Sequence, residues 1–415
     1  MAGEVPEGWQ NAAFGRLADV DRGLTYSNEQ ECDAADDGVA VLRIPNVQEQ
    51  RFVETGLKYL RNVSADERKR YRVGKNAILM VGSNGNAARV GNCCFVDSPA
   101  EYVFASFLMR VRPNEERVAA KFLYYCMVSE PVQDGITESV QGSTGLKNIS
   151  LMTLRSQQFL VPPLAEQRKI AAILSSVDDA IRATEAVIEQ TRRVKQALLE
   201  ELLTRGIGHT RFKQTEIGEI PEGWEVRELG EIATVERGRF SHRPRNAPHL
   251  YGGPYPFVQT GDIAGVSRIV SHSQTLNDAG LAQSRMFPVD TILVTIVGAN
   301  VGEAALTTYP VACPDSVVGI RADAVDPIWL SYVVSTWKSA LQSAATQSAR
   351  QNINLQTLRP KLVAVPPVAE QAAIRAVISV LADAEEVSCS MLACLKLSKS
   401  ALLSALLTGR IRVTP

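Results

Sequence analysis

Histidine is scarce in this chain, and what there is offers no metal site. The four histidines (His209, His242, His249, His272) are scattered without ligand spacing, and the seven cysteines include no Cys-x-x-Cys pair. Cys93 and Cys94 are adjacent, while Cys389 and Cys394 fall in a helical pattern. Reduced, structural thiols in a cytoplasm are therefore expected, without zinc. No apolar run reaches the ~18 residues of a membrane span, and no basic-then-apolar leader is present. Net charge is nearly absent too, at −1, so the globally basic signature of nucleic-acid binding is missing. With 45% hydrophobic and 21% charged residues, 415 residues suffice for two or three packed domains.

Signatures of catalysis are also lacking. There is no GxGxxG, GxxxxGK(S/T), HExxH or GxSxG. Two Pro-Pro pairs occur without the flanking residues that amino-methyltransferases place on a flipped base, and Asp315 is not followed by Glu-x-Lys. Asp178-Asp179 and Glu385-Glu386 sit in helical patterns, as solvated faces do. A chain with no chemistry of its own is expected.

What is present is a duplication. Pro6-Glu7-Gly8-Trp9 returns as Pro221-Glu222-Gly223-Trp224, and Val161-Pro162-Pro163-Leu164-Ala165-Glu166-Gln167 returns as Val365-Pro366-Pro367-Val368-Ala369-Glu370-Gln371. The copies agree at their ends and differ in the middle, as two similar tools for two targets would. Each ends in a helical pattern of some 40 residues, opened by proline in the first turn. In the first, Ile170, Leu174, Val177, Ile181, Thr184, Ile188, Thr191, Leu198 and Leu202 alternate steps of four and three, with one gap at Lys195. A shift of 204 residues gives Ile374, Ile378, Leu381, Glu385, Ser388, Leu392, Leu395, Leu402 and Leu406, where Glu385 interrupts the seam. A long helix with a narrow apolar stripe needs a partner helix, and its repeat is the obvious one. Glycine stops both, at Gly206 and Gly409.

Between these frames lie mixed α and β bodies. Ala77–Val81 and Thr291–Val297 read as strands, Phe122–Val128 and Trp329–Trp337 as short helices. His209–Ile220 is polar without a period and reads as a linker. The expected architecture is α+β: two mixed α/β bodies joined by two long coiled-coil helices, in an internal pseudo-twofold repeat. Its parts are a first body at 1–160, a helix at 161–208, a second body at 209–364 and a second helix at 365–415.

Charge is uneven locally. Lys58, Arg61, Arg68, Lys69, Arg70, Arg72 and Lys75 cluster in one body, and Arg237, Arg239, Arg243, Arg245, Arg268 and Arg285 in the other. A basic cluster in each copy points to phosphates. Three polar slots match between copies. Arg43-Ile44-Pro45-Asn46-Val47 lies where Gln259-Thr260-Gly261-Asp262-Ile263 does. Ser83 and Asn84 match the loop holding Asn300, and Gln141, Ser143, Lys147 and Asn148 match Arg350, Gln351 and Asn352. Arg pairs bidentately with guanine and Asn or Gln with adenine, so these residues, with Lys58, Arg61, Arg237, Arg239, Arg243 and Arg245, are the DNA-contact candidates. Residues that differ between copies, Arg43 and Lys147 against Gln259 and Arg350, are better placed for readout than the shared asparagines.

In this order and duplicated, the two Pro-Pro-Leu/Val-Ala-Glu-Gln turns with their helices, Leu202–His209, and Ile217–Trp224 resemble the specificity subunit of Type I restriction-modification systems over essentially the whole chain. The resemblance implies two target-recognition domains, each reading half of a bipartite double-stranded DNA site, with the two long coiled-coil helices packed antiparallel as spacer and docking platform. It implies partners: two modification subunits that bind S-adenosylmethionine and methylate adenine, and motor-nuclease restriction subunits, in antiviral defence. No cofactor or metal is expected in this chain, and no membrane. A Type IIB-like recognition subunit or a coiled-coil scaffold without DNA readout are the alternatives.

Overall fold

The computed structural model describes residues 5–33, 38–48, 50–98, 100–138, 140, 145–242, 247–347 and 353–413. The chain forms two compact units, Met1–Glu185 with Ser390–Pro415, and Ala186–Cys389. Two helices, α1 (Leu164–Thr204) and α2 (Val368–Leu407), contribute one half to each unit.

In the first unit an antiparallel sheet runs in the order Cys93–Val96, Ala77–Val81, Leu108–Pro113, Ala18–Arg22. The second unit repeats that order with Ala304–Thr307, Thr291–Thr295, Val317–Ala322 and Ala233–Arg237, and adds Arg268–Ile269 at the edge. The central strands Ala77–Val81 and Thr291–Thr295 are buried almost throughout, because elements pack on both of their faces. A second sheet in each unit contains one parallel pairing: Val39–Leu42 with Tyr102–Phe104, and Phe257 with Ala312. The short helices form where expected, at Ala120–Met127 and Pro327–Ser335. The second is opened by Pro327 and by Asp326, whose Oδ1 accepts from Ile328 and Trp329 N–H at 2.9 Å each.

Each unit is closed by its own ends. Gln10–Ala13 pairs antiparallel with Gln158–Val161, and Glu225–Glu228 with Leu362–Val365, so the repeated lead-in and the repeated Pro-Pro exit lie side by side. Within the first unit, Ile170 and Leu174 of α1 share a core with Leu406 of α2. Within the second, Leu199 and Leu202 share one with Ile374 and Ile378. Early residues of one helix meet late residues of the other in both units, so the paired halves are antiparallel.

By length and apolarity alone α2 could cross a membrane. In the structure Ile374 and Ile378 near one end and Leu406 near the other join protein cores, and Glu385 takes two cations midway.

One expectation is corrected. The segment read as a linker holds a hairpin, Phe212–Thr215 with Gly218–Pro221, turning at Glu216 and Ile217. Its support is polar, so no apolar period announced it. Lys213 Nζ donates to the Glu222 and Trp224 carbonyls at 3.0 and 2.6 Å, and the Arg205 guanidinium lies 4.4 Å from the Phe212 ring centre.

Candidate nucleic-acid interface

The frame that carries the candidate surface rests on the repeated Trp and Glu-Gln residues. Glu166, 3% exposed at its side chain, accepts from Trp9 Nε1 at 3.2 Å and from Arg412 Nε and Nη2 at 2.9 and 3.0 Å. In the second unit Glu370 accepts from Trp224 Nε1 at 2.9 Å, the Ile207 N–H at 3.0 Å and His209 Nε2 at 2.8 Å. The next residue braces the body. Gln167 Oε1 accepts from Ala119 N–H and its Nε2 donates to the Pro162 carbonyl, both at 2.8 Å; Gln371 does the same with Asp326 N–H and the Pro366 carbonyl.

The duplicated Trp and Glu-Gln are thus one joint, in which a helix start grips the body's lead-in. A third group always arrives from just beyond a helix end, three residues past the terminal glycine: Arg412 after Gly409, His209 after Gly206. Both glycines take positive φ, +71° and +66°, and a side chain at Gly206 would run into Glu370 and Trp224. The chain's first and last described segments meet here, Arg412 Nη1 donating to the Glu7 carbonyl at 2.9 Å. The two repeated lead-ins thus occupy equivalent places, Trp9 on Glu166 and Trp224 on Glu370. The signal was in the sequence, as identical residues at both ends of the repeat, but its partners lie 157 and 146 residues apart.

On the first body, Ser83–Asn84 and Lys147–Asn148 form a two-stranded ladder, Ser83 opposite Asn148 and Asn84 opposite Lys147. Ser83 is buried and donates to Asn148 Oδ1, while Asn84 Oδ1 accepts from Asn86 N–H at 2.8 Å. The two candidate loops are therefore brought together. Arg43 opens a tight turn that Asn46 closes. Asn46 is 1% exposed, its Oδ1 accepting from Arg43 N–H and its Nδ2 donating to the Val53 carbonyl, both at 2.9 Å. Asn46, offered as a DNA contact, instead builds the loop, because burial takes its amide out of reach. Lys58 pairs with Asp33, and Arg61 is exposed.

On the second body the same turn recurs: Asp262 Oδ2 accepts from Gln259 N–H at 2.8 Å and Oδ1 from Ser273 N–H at 3.1 Å. Asp262 too is occupied in holding the loop. Asn300 Nδ2 donates to the Thr260 carbonyl at 3.3 Å, which joins those two candidate loops as well. Gln259 Nε2 donates to Gln274 Oε1 at 2.5 Å. Three arginines converge nearby: Arg237 Nε donates to the Asp315 carbonyl, Arg239 Nη2 to that of Ser284 at 2.9 Å, and Arg285 Nη1 to that of Arg237 at 2.9 Å. Each keeps further N–H groups for an outside acceptor. Gln141, Ser143, Arg243, Arg245, Arg350, Gln351 and Asn352 lie outside the described residues.

Cysteine offers little chemistry here: burial pushes the Cys94 thiol up to about 12, and Cys93, Cys126 and Cys313 higher. Among the described residues no group of three or more His, Cys, Asp or Glu is placed to hold a metal ion.

Two bodies of one plan, each clasped by paired halves of two long helices and each presenting dissimilar polar loops, define a duplicated recognition protein. The chain belongs to the family described as the Type I restriction modification DNA specificity domain, which it matches twice, over residues 6–192 and 221–387. It is 25% identical to a protein of Methanocaldococcus jannaschii assigned to the type I restriction enzyme MjaX as its specificity subunit, over 99% of this chain and 95% of the relative. To the EcoKI specificity subunit of Escherichia coli it is 24% identical, over 90% of this chain and 82% of the relative. The crystal structure of the S subunit of the M. genitalium type I restriction-modification system shares the fold across 97% of this chain and 98% of that one, with a TM-score of 0.62 at 14% identity.

Proposed function

We propose that this chain is the specificity subunit of a Type I restriction-modification complex. Each body reads one half of a bipartite duplex target, and the chain itself is non-catalytic. The observation that carries the reading is the contrast between frame and loops. The Trp–Glu joint, the sheet order and the Asn46 and Asp262 turns repeat, while the residues those turns display, Arg43 and Gln259, differ. Selection of two dissimilar half-sites by one pair of scaffolds accounts for both facts. Internal duplication supplies what symmetric DNA-binding dimers obtain from two chains, while leaving the two readers free to differ.

The convergent arginines Arg237, Arg239 and Arg285 suit phosphate contacts, which position a reader without identifying the sequence. On this reading two modification subunits dock on the chain and carry S-adenosylmethionine, restriction subunits join them, and the assembly works in the cytoplasm. The test is reconstitution: partner alone, chain alone and both together, each with methyl donor and duplex DNA. Adenine methylation at a two-part site only in the combined sample is expected. Methyl transfer by this chain alone would contradict the proposal.

A further inference from the structure

The turn opened by Arg43 and the turn opened by Gln259 are the same device. Each follows the strand that makes its sheet's parallel pairing, Val39–Leu42 with Tyr102–Phe104 and Phe257 with Ala312. Each opening residue is extended, with φ −127° and ψ 177° at Arg43, φ −105° and ψ 174° at Gln259. In each, the side chain three residues on accepts from the opening residue's own N–H, at 2.9 and 2.8 Å. The loop leaving the central strand leans on the turn in both bodies: Arg89 Nη2 reaches Gln48 Oε1, and Asn300 Nδ2 the Thr260 carbonyl, each at 3.3 Å. The scaffold is held constant while its displayed side chain changes.

Both displayed side chains are also oriented from behind. Arg43 Nη1 lies 3.6 Å from Glu31 Oε1, and that oxygen is itself held by the Tyr26 hydroxyl at 2.9 Å. Arg43 Nε is buried, so the fork that remains after the Glu31 contact is the one formed by its two Nη groups. Gln259 gives one amide N–H to Gln274, leaving its Oε1 and its second N–H. That remaining set is one acceptor beside one donor, the complement of adenine N6–H and N7; a guanidinium fork complements guanine O6 and N7.

Resting on the proposed function, we propose that this position is the base-reading slot of each body: Arg43 recognises guanine in the first half-site, and Gln259, oriented by Gln274, recognises adenine in the second. Neither Arg237 nor Arg239 shares this task. Their guanidinia are anchored on the Asp315 and Ser284 carbonyls rather than oriented by a neighbouring side chain, and on this proposal they contact the DNA backbone.

The experiment uses the full chain co-produced with its modification subunits and a library of duplexes, with methylated sites read by sequencing. Gln259→Ala should relax one base pair of the second half-site by roughly ten- to a hundred-fold, leaving the first half-site and the gap unchanged. Gln274→Ala should relax the same base pair less. Gln259→Glu keeps the shape and the hydrogen bond acceptor but loses the donor, and should move the preference away from adenine. Arg43→Ala should relax one base pair of the first half-site, and Arg43→Lys, which keeps charge without the fork, should relax it partly. Arg239→Ala should lower methylation at all sites alike and reduce the salt slope by about one. Should Gln259→Ala prevent folding, Gln259→Glu and Gln274→Ala decide the matter. Unchanged discrimination at every base pair in these variants overturns the slot while leaving the specificity-subunit reading intact. Failure of the wild-type complex to select any two-part site overturns that reading itself.

Discussion

Lys195 and Glu385, 190 residues apart in the chain, meet across the paired halves of α1 and α2 in the second unit. Arg192 Nε donates to the same carboxylate at 2.6 Å, and only 16% of the Glu385 side chain is exposed. Each residue alone breaks the apolar seam of its helix; facing each other, the two defects are one interaction. The basic spacing recurs 204 residues on as Lys396 and Lys399, which in the first unit meet Glu185 at 3.3 Å and Asp178 at 2.7 Å. The carboxylates do not follow the repeat: the counterpart of Glu385 is Ile181, 8% exposed. A charge in a seam finds its partner in one alignment only, so this cluster specifies register.

Removing one partner should therefore harm more than removing both. Glu385→Leu leaves Lys195 half-buried without its carboxylate and should cost about 1–3 kcal/mol in urea unfolding of the complete chain. Adding Lys195→Leu should recover most of that loss. A double variant less stable than the sum of the single changes would contradict the register role.

Acid should act on the same pair. Burial raises the Glu385 pKa, but hydrogen bonds from Arg192 and Lys195 outweigh it and hold the carboxyl below its usual value. A depressed native pKa means stability present above the unfolded value, about 4.3, and lost as pH falls through the native one. Stability should fall more steeply below pH ~4 in the wild type than in Glu385→Gln, measured by thermal unfolding against pH. Parallel curves would show that the carboxylate is not coupled to folding.

The two joints share Trp and Glu but take their third side chain from Arg412 in one and His209 in the other, and that difference should be exchangeable. Arg412 serves Glu166 as His209 serves Glu370, so His209→Arg should be tolerated within about 0.5 kcal/mol. Glu370→Gln removes the charge that Trp224 and His209 address and should cost about 1–3 kcal/mol. Hydrogen exchange should locate the loss at Trp224 and the Ile207 N–H rather than across the first unit.

Much of this frame was legible in the sequence. The helices and the central strands followed from periodicities that burial imposes, the antiparallel pairing from the family resemblance, and the matched slots at Arg43 and Gln259 were visible from alignment of the copies. Three features were not. The hairpin at Phe212–Pro221 is supported by a lysine and a cation–ring contact, which leave no period. Asn46 and Asp262 had the composition of a readout loop, yet their side chains close the turn, a distinction set by three-dimensional reach. Lys195 and Glu385 read as separate interruptions because nothing in either helix records what stands opposite.

Helix length should set the gap between half-sites. Each helix is paired in both units, so an insertion in α1 alone would put Lys195 one turn out of step with Glu385. Matched four-residue insertions after Glu189 and after Ser390 keep both pairings and lengthen each helix by roughly 6 Å. With ~3.4 Å per base pair, methylated sites should gain one or two base pairs of gap while both half-site sequences stay the same. Genome-wide mapping of methylated adenine in cells carrying the insertions reads this out. An active complex with an unchanged gap would mean the helices dock partners without measuring DNA.

The central claim, two independent readers on one repeated frame, is tested most directly by exchanging a single body. Residues 239–345 would be replaced by the corresponding segment of a related specificity subunit, leaving the Trp224–Glu370 joint and both helices in place. Methylated adenines in cells carrying the hybrid would then be mapped. The account predicts a site whose second half is new, with the first half and the gap retained. A site in which both halves change would contradict it.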